Sequence, residues 1–510
     1  MQLRAMDSCW LAVVVACAAC EDPAGAADVS AATATDAETQ AESESATDAV
    51  VATADDSALP EAEAEVTAPV APSLEGGVTL ADENPDPGIV EVHLQAGAVS
   101  ATLVEDLGPL PLYGYNGQIP GPIIAANVGD RVIVHFENAL PEPTTVHWHG
   151  LRISDAMDGS PRLQEPVAPG GTFTYDFVVP DAGTFWYHPH VRANEQVEKG
   201  LAGMFVVHER ERPAVSRERA FVLDDILLGD KGLAPFMADH MEEMHGRSGN
   251  VLLTNGHDVP LALTARQGEL ERWRIVNVAN ARTMEVAVQG AKWRVVGTDG
   301  GLLGWSYAPE RLTVAVGQRY DLEVVYDQPG EARLVSYVLT IDDHNNVVDV
   351  PVALAKVAAT ASDVVAAPAI YAAPPLPAFD PVDLDVTLEL TGAMGPNGLV
   401  WTINGMKDGM SGGHEMMLFE AARGANARIL LENLAGPEHP FHLHGQFFQI
   451  VRRNGEDTNA EEGLKDVVLV PGMETVELRA RLDNPGRWMA HCHILEHAEL
   501  GMMGEFLVTP

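Results

Sequence analysis

Two stretches of this chain follow one plan. VIVHFENALPEPTTVHWHG (132–150) and ARILLENLAGPEHPFHLHG (427–445) each run through a short strand-like segment, an Asn, a Pro-containing turn and a His-x-His-Gly ending. Each has a later companion, FWYHPH (185–190) after DAGTF and WMAHCH (488–493) after DNPGR. Duplication on this scale requires two regions of one chain to fold alike. Other runs share the texture: TFTYDFVV (172–179), GMFVV (203–207), LTVAV (312–316), LEVVY (322–326), VVLV (467–470) and TVELRA (475–480). They are short, alternating and rich in β-branched residues, with Gly, Pro, Asn and Asp between them. This is the pattern of an all-β chain built from sandwiches of about a hundred residues or more. Boundaries follow from composition: a first domain over 87–208, a second over 209–360, an Ala/Pro-rich linker over 361–383 and a third domain over 384–510. The middle domain lacks the histidine pairs.

Ten of the eighteen histidines lie in four short segments, each with one His-x-His pair: His147/His149, His188/His190, His442/His444 and His491/His493. Residues i and i+2 of a strand share a face, so each pair presents two imidazoles side by side. Eight imidazoles from the first and third domains can converge where those domains meet. Imidazole suits copper, zinc, iron and nickel, and eight are too many for one zinc, so a polynuclear cluster is expected. Parity also separates the residues of HCHILEHAELGMM (491–503). His491 and His493 face one way and Cys492 the other. In HPFHLHG, His439 opposes His442 and His444, although Pro440 threatens the regularity of the strand. His439, Cys492, His497 from the following loop and Met502 as a weak axial ligand then form the donor set of a blue-copper electron-transfer site.

The N-terminal region reads differently. MQLRAMDSCWLAVVVACAAC (1–20) has a thin basic start, at Arg4, and a short apolar run, as in an export signal. V-V-A-C ending at Cys17 resembles a bacterial lipobox, with Cys20 as a second candidate; a cleaved soluble signal is the alternative. Residues 21–86 are dominated by Ala, Glu, Asp, Ser and Thr and have no Lys or Arg, which predicts a disordered acidic tether. Localisation in the periplasm, or on the outer membrane as a lipoprotein, is the expectation. Cys9, Cys17 and Cys20 all lie in this region, so Cys492 is a lone thiol in the body of the chain. With 74 Asp+Glu against 31 Lys+Arg, the chain offers no cationic field for nucleic acid.

HWHG, HPH, HPFHLHG and HCHILEHAELGMM together resemble the four copper motifs of the multicopper oxidases, over roughly residues 88–510. The resemblance implies three cupredoxin-like β-sandwiches with a trinuclear copper cluster between the first and third. It implies a type 1 copper on His439, Cys492 and His497 with Met502 axial. The type 2 copper falls to His147 and His442, and the type 3 pair to His149, His188, His190, His444, His491 and His493. Four copper ions would couple one-electron oxidations of a reductant to the reduction of dioxygen to water. Electrons would leave the type 1 site through Cys492 and its neighbours His491 and His493. Asp158 matches the family's acidic residue near the type 2 copper and is expected to deliver protons. Ala498 stands where many bacterial relatives carry a glutamate; Glu499 is adjacent, but its parity argues against substitution.

The reductant is the least determined partner. MADHMEEMHG (237–246) and MKDGMSGGHEMM (406–417) combine Met and His, which suits delivery of Cu(I), although Met also fills loops and gaps. A phenol or aromatic amine is an equal expectation. A copper-binding protein without turnover is the rival from another class, but a carrier needs no trinuclear site. The chain is expected to be a monomer.

Overall fold

The computed structural model describes residues 74–510 except 105–106, 342–345, 366–368, 374, 397, 408–415 and 459–462. The export signal, both lipobox cysteines and most of the acidic segment therefore lie outside the described residues. The body is almost entirely β, and the first and third domains share one topology. In the first, one sheet runs Leu110–Tyr115, Ile89–Ala101, Arg131–Ala139, Thr172–Val178. The other runs Gly121–Asn127, Gly203–His208, Gly183–His188, His147–His149. In the third domain the second of these orders recurs as Met417–Ala422, Met503–Thr509, Gly486–Cys492, His439–Leu443, with Val467–Val470 added at the histidine edge.

Alternation drives each sandwich. Besides Asn138, Arg131–Ala139 buries Val132, Val134 and Phe136 and leaves the alternate positions half-buried or exposed, as a half-buried strand must. Those residues meet Tyr175, Phe177, Phe205 and Trp148 from both sheets. The third-domain core is equivalent, with Ile429, Leu431, Leu478, Phe506 and Trp488. The middle domain has its own core around Trp273, Leu322 and Val324.

Pro440 does not break the strand His439–Leu443. It pairs opposite Leu469, and its carbonyl accepts the His493 N–H at 2.5 Å. The expected tether boundary at 86 differs from the structure. Leu74–Glu75 already pairs in parallel with Glu218–Arg219 of the middle domain. Glu75 is drawn there by Arg217 and Arg219, at 3.4 and 2.8 Å. Residues 361–383 carry no strand where they are described. Among the described residues no helix is long and apolar enough to cross a membrane.

Candidate metal centre

The two sites follow from strand pairing. Opposite residues of an antiparallel pair point to the same side. Phe441 faces Cys492, and His442 faces His491. His439 thus shares a side with Cys492, and His442 shares the other with His491. In the first domain His147 faces His188 in the same way.

On the first side, Cys492 Sγ lies 3.5 Å from His439 Nδ1 and 3.7 Å from His497 Nδ1, and the two nitrogens are 3.1 Å apart. His497 comes from the short helix Leu495–Glu499, where a loop was expected. Its ring donates from Nε2 to the Met244 carbonyl at 3.0 Å, so Nδ1 is a bare lone pair aimed at the sulfur. Trp401 covers the pair, with its ring 4.3 Å from that of His497 and 4.9 Å from that of His439. Burial pushes the Cys492 thiol up and holds His439 down to about 3. A soft sulfur and two neutral imidazoles in a dry trigonal pocket fit copper. Met502 is fully buried in the same apolar core, and its carbonyl accepts the Cys492 N–H at 3.0 Å.

On the second side the eight imidazoles converge. His147 stacks on His444 at 3.9 Å and His149 on His442 at 3.8 Å. His188 approaches His493 at 5.4 Å, and His190 approaches His491 at 5.2 Å. Each couple joins the first domain to the third, and exchanging equivalent residues of the two domains turns one couple into the other. The duplication therefore builds the cluster around a pseudo-twofold axis.

Hydrogen bonds fix which nitrogen faces inward. His147, His188, His442 and His491 donate from Nδ1 to the carbonyls of Asp158, Pro189, Asp466 and Cys492 at 2.8–3.0 Å. The Nε2 atoms of His147, His188 and His442 are buried without a hydrogen-bond partner, as are His190 Nε2, His149 Nδ1 and both nitrogens of His493. Burial, reinforced by neighbouring imidazoles, holds His149, His188, His190, His442 and His491 well below the ordinary histidine value. It holds His444 at about 4 and His493 at about 3. These rings are neutral, and their inward lone pairs repel unless a cation lies among them. A metal cluster meets that need, and the backbone carbonyls supply the outer hydrogen bonds that orient metal-bound histidine.

Asp158 is buried beneath the cluster. Besides accepting His147 at its carbonyl, it accepts His444 Nδ1 at Oδ2 at 2.9 Å. Burial alone would raise its carboxyl, but His444 and His147 hold it well below the usual range. Asp466, which sequence reasoning missed, is its counterpart across the pseudo-twofold axis. Its carbonyl accepts His442, and its Oδ1 lies 3.1 Å from His149 Nε2. Arg319 of the middle domain grips this carboxylate through both terminal nitrogens, at 2.6 and 2.5 Å. The middle domain carries no paired histidines, so nothing in its sequence signalled this contribution. Ala498 packs with Met489 and Met503 in an apolar cluster. Glu499 accepts the Ala193 N–H at 3.1 Å, which ties its carboxylate to the first domain's short helix.

A trigonal Cys-His site one residue along the chain from an eight-imidazole cluster defines a copper-dependent oxidase. Multicopper oxidase families match residues 99–212, 234–355 and 381–510, and the chain belongs to the multicopper oxidases. It is 29% identical to the multicopper oxidase MmcO of Mycobacterium tuberculosis, over 79% of this chain and 86% of that protein. It is 31% identical to a laccase of Phlebia radiata, over 76% of this chain and 84% of the laccase. A solved multicopper oxidase of Campylobacter jejuni, described as a metallo-oxidase, superposes with a TM-score of 0.74 at 27% identity, covering 86% of this chain and 96% of that one.

Proposed function

We propose that four copper ions bind, one at His439, Cys492, His497 and Met502 and three among the eight clustered histidines, and that the reductant they accept is Cu(I). Bound copper supplies one-electron acceptance at the cysteine site and reduction of dioxygen to water at the cluster. The chain's own part is to hold and connect these sites. Cys492 is covalently linked to His491 and His493, so the path from one site to the other is a few bonds long. Asp158 and Asp466 orient His147, His149, His442 and His444. In this reading Asp158 passes protons to the cluster.

One observation carries the choice of reductant. The outward N–H of His497 is closed by the Met244 carbonyl, so the surface path to this ligand begins on the helix His240–His245. That segment is fixed by Asp239, which caps it through Met241 N and Glu242 N, and by Trp401 Nε1, which donates to the Glu243 carbonyl at 2.9 Å. It presents His240 and Met241 to solvent, and thioethers favour Cu(I). The second Met/His segment lies largely outside the described residues, with Met406 exposed at its start.

A phenol or aromatic amine is the second reading. A cavity of about 290 Å3 beside the cysteine site is lined by His245, Thr283, Glu438 and Ile494 among others, which suits one aromatic ring. Oxygen uptake by the copper-loaded protein with Cu(I), Fe(II) and dimethoxyphenol in parallel separates the readings. Cu(I) is expected to be the fastest donor, and Met241→Leu to lower its rate several-fold relative to dimethoxyphenol. An unchanged ratio favours the phenol reading, and no uptake with any donor would sink oxidase activity. Export and a lipid anchor at Cys17 or Cys20 are part of the same proposal, tested by detergent-phase partition of Cys17→Ala and Cys20→Ala.

A further inference from the structure

The helix Leu495–Glu499 carries His497, yet so short a helix is marginal on its own. Its N-cap, Ile494, offers no side-chain acceptor to the free N–H groups of the first turn. Asn280 of the middle domain takes that place. Its carbonyl accepts the Leu495 N–H at 3.1 Å. Its Nδ2 donates to Glu496 Oε1 at 2.9 Å and to the Asn194 carbonyl of the first domain at 2.7 Å. The other oxygen of Glu496 accepts the Arg247 N–H at 3.0 Å. The Arg247 guanidinium in turn lies 2.9 Å from Glu198 of the first domain and 2.9 Å from Glu242. Asn280, Glu496, Arg247 and Glu198 are all buried, so no bulk water replaces a lost partner. All three domains meet at this knot.

Gly246 permits the close approach. Its φ is +74°, and a Cβ there would lie 2.5 Å from Ala281 and 2.5 Å from Ile494. Just before it, the Met244 carbonyl accepts His497 Nε2 at 3.0 Å. One segment of the middle domain therefore holds His497 twice, its ring through Met244 and its helix through Arg247. We propose that Asn280 and Glu496 are positioning residues of the cysteine site. They lock the helix against the middle domain, and so set where His497 Nδ1 stands relative to Cys492 Sγ. Among the described residues neither side chain hydrogen-bonds a ligand ring, so both act through the backbone of the helix. The proposal rests on copper binding at His439, Cys492 and His497.

The test compares Asn280→Ala and Glu496→Gln with the unaltered full chain. Asn280→Ala removes the amide, and Glu496→Gln sets an amide N–H against one of two donors. Where Asn280→Ala fails to fold, Glu496→Gln carries the comparison. In copper-loaded protein the blue band and the copper EPR signal should shift. Dialysis against EDTA, read as blue absorbance against total copper, should strip the cysteine site about tenfold faster, the low end for lost outer partners of metal-bound histidine. The histidine cluster should keep its copper. In metal-free protein, amide exchange over Leu495–Glu499 should quicken. Asn280→Asp combined with Glu496→Gln should recover part of each change, because the new amide can donate to the new carboxylate. An unmoved blue band with unchanged copper loss overturns the proposal. So does equal copper loss from both sites, which would make the knot a general support. An unaltered chain that takes up copper without blue colour removes the copper assignment itself, a failure distinct from an unmoved variant of a blue parent.

Discussion

Asp158 and Asp466 occupy equivalent positions on opposite sides of the histidine cluster, each accepting one imidazole at its backbone carbonyl and facing another with its carboxylate. They differ in what lies behind them. Asp158 is answered by histidines alone, whereas Asp466 is clamped by Arg319. Burial pushes Asp466 up to about 6 against the pull of that guanidinium, while Asp158 stays ionised. Two carboxylates thus stand in matching places around the cluster, and the middle domain makes them unequal.

Asp158→Asn keeps the shape but removes the charge that orients His444. Loss of such an outer partner costs roughly 10–100-fold in activity or metal affinity. Anaerobic reduction of the blue centre should proceed as in the unaltered protein, while reoxidation by dioxygen slows by at least tenfold. Equal slowing of both half-reactions would refute a role confined to the cluster.

Arg319→Met leaves Asp466 and Asp299 buried without their guanidinium. Breaking a buried pair in this way costs about 3–5 kcal/mol. The melting temperature should fall, and copper should be lost from the histidine cluster before the cysteine site, as read by copper content against blue absorbance. Arg319→Lys should recover part of both. Full copper content in Arg319→Met would show that the clamp does not support the cluster.

Cys492→Ser should abolish the blue colour and turnover while the fold persists, because a hydroxyl is a hard donor in a soft site. Burying that hydroxyl in an apolar core costs about 1–3 kcal/mol. Retained blue absorbance in the variant would remove Cys492 from the ligand set.

The metal-free protein should lose stability as pH falls below the ordinary histidine value. His439, His444 and His493 have folded values of about 3, 4 and 3, below the unfolded value of about 6.5. Under acid the unfolded chain takes up protons that the folded chain refuses, so the cost is absent above pH ~6.5. It grows by roughly 2 kcal/mol for each such ring between pH ~6.5 and ~5. Calorimetry of the apo-protein should show this steep fall, and copper loading should reduce it. A flat melting temperature from pH 7 to 5 in the apo-protein would contradict neutral inward rings.

Ala498→Glu tests the departure from the bacterial relatives. The new carboxyl would enter the apolar contact of Met489 and Met503, a burial costing about 2 kcal/mol or more without a partner. A lower melting temperature with no gain in turnover is expected. Faster dioxygen reduction at unchanged stability would mean that this chain accepts a proton relay there.

Much was legible in the sequence because strand geometry is a local rule. The two-residue period assigned His491 and His493 to one side and Cys492 to the other, and the same rule placed His439 opposite His442. Those assignments needed no knowledge of what lay across the sheet, and the duplicated motifs showed which segments would face one another. The partners of the ligands were not legible. Arg319 reaches the cluster from the middle domain, Asp466 joins His442 of its own domain to His149 of the first, and Trp401 covers the cysteine site from another strand of the same domain, all from segments whose local patterns look like ordinary strand ends. The cover that Met244 places over His497 depends on how a short helix of the middle domain lies on the third. Local alternation determines which donors share a face. Only tertiary packing decides which charges and carbonyls stand behind them, because those contacts join separate elements of the chain, up to 317 positions apart.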